Sequence, residues 1–282
     1  MAAVQMISKD RDVEGNLRKA LAFCDQAATQ GVQILCFPEC ASTGFDWLLK
    51  KQKKKLKEIP DNLSIEPIPG PIVQRFADKA KATGMYVIFG MIERPRGSRT
   101  IYNTAFVVGP TEGYIGRHRK VLAEGVFGKG TDANVFSTRH GKVGIFICAD
   151  MRSPELARLL VLKGASILFQ PTCYFHKDGI DIQRRYLGKL AAQRSRAMEN
   201  GVHLVIANGG RSEYVNNSRI IGPATQGPEA VLARATRKEQ LLIADISLNG
   251  AGNAAIRCIK QTPWLFKALG REAIRASNGD HS

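Results

Sequence analysis

The chain reads as an α/β protein, a four-layer α-β-β-α sandwich of two mixed sheets with helices on both outer faces. Helix-then-strand units recur through the 282 residues, two in each half, with additional strands beside them. No composition shift, Pro/Ser-rich linker or low-complexity tract divides the chain, so 1–282 is taken as one domain. A hydrophobic content of 44% suits a substantial core.

In order, AAVQMI is a strand, NLRKALAFCDQAATQ has apolar residues at helical spacing before Gly31, and VQILCF is a strand ending at Pro38 and Glu39. The unit repeats as the helix PIVQRFADKAKATG and the strand MYVIFGMIE. TIYNTAFVVG and GYIGRHRK, joined by a turn, form a hairpin that Lys120 closes. After a glycine-rich loop, GKVGIFIC is a strand ending at Cys148; Ser153 then caps a helix with Pro154 at its first position, which stops at Gly164. ASILFQPT, IQRRYLGKLAAQRSRAMEN and GVHLVIANGG continue as strand, helix and strand, and SRIIGP, AVLARAT and EQLLIADISL are strand-like. The stretch 248–282 has no clear pattern; it is a C-terminal extension whose apolar Trp264, Leu265 and Phe266 pack on the body or on a second subunit.

No apolar stretch reaches the roughly 20 residues of a membrane span. The opening MAAVQMISKD lacks a secretion signal, and six cysteines without CxxC pairs or metal-ligand spacing fit reduced thiols in a cytoplasmic location. The net charge of +16 raises nucleic acid as a partner. Much of it lies in KKQKKKLK at 50–57, where no aromatic residue interleaves to stack on bases, so a solvated loop is the favoured account.

Three strands end in reactive groups: Glu39, Lys120 and Cys148. Singly each has an ordinary explanation: a surface carboxylate, a solvated lysine, a buried structural cysteine. Together they supply a nucleophile, a base for thiol and water, and a cation for a developing oxyanion. A cysteine–histidine pair is disfavoured, because His118 between Arg117 and Arg119 reads as surface-exposed. No HExxH, P-loop or GxGxxG pattern occurs, so neither metal nor cofactor is expected.

The order of GVQILCFPECASTGF, IYNTAFVVGP, GRHRK, EGVFGKG, GKVGIFICADMRSPELARLLVLKGASILFQPT and RAMENGVHLVIAN resembles the nitrilase superfamily, the carbon-nitrogen hydrolases. The resemblance implies Glu39 as general base, Lys120 as oxyanion stabiliser, Cys148 as nucleophile and Glu124 as a second active-site glutamate. It implies hydrolysis of a small linear amide or N-carbamoyl compound with ammonia released, and assembly as a homodimer or larger homo-oligomer. Nitrile-cleaving members typically carry Trp-Glu after the nucleophile; here Ala149 and Asp150 stand closer to amidases and carbamoylases. Candidate substrate-binding residues are Ala149, Arg152, Tyr174 and Asn208, with a structural ion pair favoured for Arg152. Nitrile hydrolysis, acyl transfer on the same site and a non-catalytic binding module on the same fold are the alternatives.

Overall fold

The computed structural model describes residues 1–45, 47, 65–173, 182–209, 218–223, 231–236 and 238–278, with backbone only for 182–186. The lysine run at 50–57 and Tyr174 lie outside the described residues.

The first half runs β1 (Ala2–Gln5), α1 (Val13–Thr29), β2 (Ile34–Cys36), α2 (Pro71–Thr83), β3 (Tyr86–Glu93), β4 (Tyr102–Gly109) and β5 (Gly113–Arg119). The second runs β6 (Val135–Thr138), β7 (Gly141–Ile145), α3 (Pro154–Leu162), β8 (Ile167–Cys173), α4 (Ile182–Asn200), β9 (His203–Gly209), β10 (Arg219–Ile221), β11 (Val231–Arg234) and β12 (Gln240–Ile243). Two helices follow, α5 (Asn253–Gln261) and α6 (Pro263–Ser277). One sheet has the order β12-β1-β2-β3-β4-β5 and the other β11-β10-β9-β8-β7-β6. Each has parallel strands at its centre (β1 with β2 and β3; β7 with β8 and β9) and antiparallel strands at its sides, so both are mixed.

Three apolar layers hold the sandwich together. Leu17 and Cys24 of α1 and Phe76 of α2 pack on Val4, Phe89 and Phe106 of the first sheet. Between the sheets, Ala3, Ile34, Ile88 and Val107 meet Val143, Ile145, Ile167, Phe169 and Val205. Outside the second sheet, Leu156 and Leu160 of α3 and Ala197 of α4 cover Phe146, Leu168, Leu204 and Ile206. Neighbours such as Ile88 and Phe89 therefore face different buried layers, which is why the central strands read as continuous apolar runs rather than alternating ones.

The α3 start follows its signals: the Ser153 hydroxyl accepts from Leu156 N at 3.2 Å and Pro154 fills the first turn. In the unread tail, α5 packs on α3 and α4 through the buried Ala255, whereas α6 buries none of its residues. Trp264 and Leu265 on α6 are exposed, whereas Phe266 is half-buried beside Leu159 and Leu162 of α3.

Candidate active site

Glu39 follows β2 in a tight turn, with Cys40 in the left-handed region at φ 49°. The turn lies on β3, held by Phe37 N donating to Ile88 O and Ala41 N donating to Gly90 O, each at 2.8 Å. A Cβ at position 90 would stand 2.2 Å from Pro38 O and 2.9 Å from Glu39 Cα, so only glycine allows this approach. Gly90→Ala is expected to push the turn outward, costing about 1–3 kcal/mol of stability. Because small misplacements of catalytic groups cost on the order of 100-fold, turnover should fall well beyond what the stability loss explains. Thermal unfolding and steady-state kinetics on the same preparation check both effects.

The Glu39 carboxylate is buried and accepts three hydrogen bonds, which leaves acceptor capacity on Oε2. Oε1 accepts from Lys120 Nζ at 2.8 Å and Asn103 Nδ2 at 2.6 Å, and Oε2 accepts from Cys173 N at 2.9 Å. Lys120 is only 4% exposed. Its main chain is fixed by Lys120 N donating to Asn103 O and by Gly130 N donating to Lys120 O, both 2.8 Å. Burial alone would lower the Lys120 pKa, but the negative charge of Glu39 and its hydrogen bond to the ammonium overcome this, and the ammonium is held charged above its usual range.

Cys148 opens a short 3-10 turn (Cys148–Arg152) with φ 46°, a strained conformation for a residue with a side chain. Its carbonyl accepts from Gln170 Nε2 at 3.0 Å, and Gln170 Oε1 in turn accepts from Gln193 Nε2 at 2.8 Å. Half-buried and adjoining Glu39, Lys120 and Thr172, the thiol is pushed up to about 11. Burial is the main cause and the Glu39 charge adds to it; Lys120 and the Thr172 hydroxyl act the other way. At rest the group is a neutral thiol beside a carboxylate placed to take its proton.

A carboxylate, an ammonium and a thiol that follow three different strands thus lie side by side. A family model described as carbon-nitrogen hydrolase matches residues 1–256. The chain belongs to the carbon-nitrogen hydrolase family.

Among curated members, an omega-amidase of Xenopus tropicalis is 32% identical over 251 residues, covering 83% of each chain. A nitrilase of Pyrococcus abyssi is 30% identical over 259 residues, covering 88% of this chain and 89% of its own. Solved structures share the fold: a Saccharomyces cerevisiae member of the nitrilase superfamily aligns with TM-score 0.72 at 23% identity, covering 93% of both chains. An amidase from Nesterenkonia sp. AN1 aligns with TM-score 0.70 at 20% identity, covering 93% of this chain and 98% of that one.

In this carbon-nitrogen hydrolase the Cys148 turn and the Lys120 strand are tied by Asp150, which no local sequence signal marks. Asp150 Oδ1 accepts from Val121 N at 3.0 Å and Leu122 N at 2.7 Å, while Oδ2 accepts from Ile147 N at 2.9 Å and lies 3.2 Å from His118 Nε2. One buried carboxylate therefore sets the spacing between Lys120 and Cys148. His118, expected at the surface, is wholly buried. The reason is strand alternation in β5: Arg117 and Arg119 turn outward to Glu93, and His118 turns inward to Asp150.

Glu124 does not join the cluster. It lies at the surface in an ion pair with Arg152 at 3.1 Å, the two side chains 60% and 69% exposed. The loop that carries it is pinned to Ile101 by Gly128 N and by a bridge to Phe127, which leaves Glu124 in an exposed bend. Arg152 has the structural pairing favoured for it rather than a place beside Cys148. Ala149 is buried directly after Cys148, and Asn208 is buried opposite Thr172 in the β8/β9 register.

Proposed function

We propose that the chain hydrolyses the carbon-nitrogen bond of a small linear amide or N-carbamoyl compound through a thioester on Cys148. The observation that carries this reading is the buried contact of Glu39 with Lys120 beside the Cys148 thiol. Glu39 takes the thiol proton as sulfur attacks the carbonyl carbon, forming the C–S bond; the oxygen takes up the electron pair and is held by the Lys120 ammonium and the Ala149 N–H. Collapse breaks the C–N bond, the proton passes from Glu39 to the leaving nitrogen, and ammonia departs. Glu39 then deprotonates water, which attacks the thioester; sulfur leaves with the proton and the acid is released.

The omega-amidase relative supports a terminal amide as the preferred substrate. A panel of terminal amides of short diacids, carbamoyl amines, carbamoyl amino acids and nitriles, scored by ammonia release, tests this. Release is expected from an amide or carbamoyl compound; no release from any of them, or release from nitriles alone, would overturn the reading.

Six free cysteines support a reducing, cytoplasmic setting, and no helix among the described residues is long and apolar enough to cross a membrane. The exposed Leu159 and Leu162 on α3, with Trp264, Leu265 and Leu269 on α6, support self-association through that face, which sedimentation velocity checks.

A further inference from the structure

On the outer face of the first sheet, away from the thiol, Arg96, Arg117 and Arg119 line a cleft of about 330 Å³ walled by Pro67, Pro69 and Pro95. Two of the guanidiniums are prepositioned. Arg119 Nε and Nη2 donate to the two oxygens of Glu93 at 2.8 and 2.6 Å, and its Cζ lies 3.9 Å from the centre of the Tyr102 ring. Arg117 donates to Ile68 O at 2.7 Å and stands 3.5 Å from Glu93.

Among the described residues the lining holds one carboxylate, and it does not face an incoming ligand: Glu93 is 1% exposed, with its oxygens engaged by Arg119 and by the Thr104 hydroxyl at 3.0 Å. Glu66, bridged to Glu93, turns its carboxylate to Ile72 N of α2. Arg96 is exposed and makes no ion pair among the described residues. Three guanidiniums against one carboxylate leave two positive charges. The cleft is of small-molecule size, its proline walls are rigid, and the guanidinium N–H groups not taken up by Glu93 or Ile68 O can donate to the oxygens of a tetrahedral anion. Arg117 and Arg119 are held before binding, which keeps their ordering cost low, and the exposed Arg96 is the one side chain that must be ordered by the anion.

We propose that this cleft binds a small dianionic oxyanion of the phosphate type, independently of the amide-hydrolysing site. Calorimetric titration of the full chain with inorganic phosphate at constant ionic strength tests it, alongside Arg96→Glu and a wild-type sample alkylated at Cys148. Saturable binding of about one phosphate per chain is expected, unchanged by alkylation and weakened at least tenfold in Arg96→Glu. That charge reversal sits on an exposed residue, so the fold should survive, and circular dichroism verifies it. Non-saturable uptake, binding equal in the folded Arg96→Glu variant, or binding lost on alkylation would overturn the proposal.

Discussion

Cys148→Ala is expected to lower amide turnover by at least about 10⁴-fold, the order seen when the nucleophile of a covalent hydrolase is removed. Without sulfur no acyl-enzyme can form, and neither Glu39 nor Lys120 can replace the covalent step. Two other cysteines lie close by, but neither is suited to the role. Cys40 is wholly buried, and burial followed by the Glu39 charge holds its thiol well above the ordinary range, so it can neither reach substrate nor ionise. Cys173 engages Glu39 through its backbone N–H. Cys40→Ser should accordingly retain turnover to within a few-fold, while Cys148→Ala falls to background in the same ammonia assay.

Glu39→Gln separates two quantities that a merely structural glutamate would move together. Turnover should fall by about 10²–10⁴-fold, the usual range for loss of a general base. Alkylation of Cys148 by iodoacetamide should instead become faster near neutral pH. The sign follows from the charges around sulfur: Glu39 raises the thiol pKa, and Lys120, left without its counter-charge, lowers it. In the wild type, labelling should climb about tenfold per pH unit until the pH approaches 11; in Glu39→Gln the profile should shift to lower pH. Peptide mapping guards against unfolding, because a denatured chain labels all six cysteines and the native variant labels Cys148 first.

How much of this was legible in the sequence depended on whether local pattern and tertiary environment agreed. The layered fold was readable, because the helices that cover the sheets present periodic apolar faces and each central strand is apolar throughout. The gathering of Glu39, Lys120 and Cys148 in one place was readable because each lies within three residues of a strand's C-terminal end. His118 was not: the charges of Arg117 and Arg119 suggested exposure, yet the two-residue period of β5 turns the residue between them into the interior. Asp150 was hidden for a similar reason, since its four partners come from two segments far apart in sequence and no local signal announces them. Glu124 matched a family motif, but its position depends on how a short loop is pinned to β4. The tail helices escaped because α6 buries no residues against the body, so its apolar residues do not mark a core-facing stripe.

The most direct test is rapid-quench intact-mass spectrometry during turnover of the best amide, with peptide mapping of any adduct. One acyl group per chain, gained with loss of ammonia, located on Cys148 and absent from Cys148→Ala, is the expected result. Turnover with no adduct under any quench condition, or an adduct carried by another residue, would contradict a thiol activated by Glu39 and Lys120.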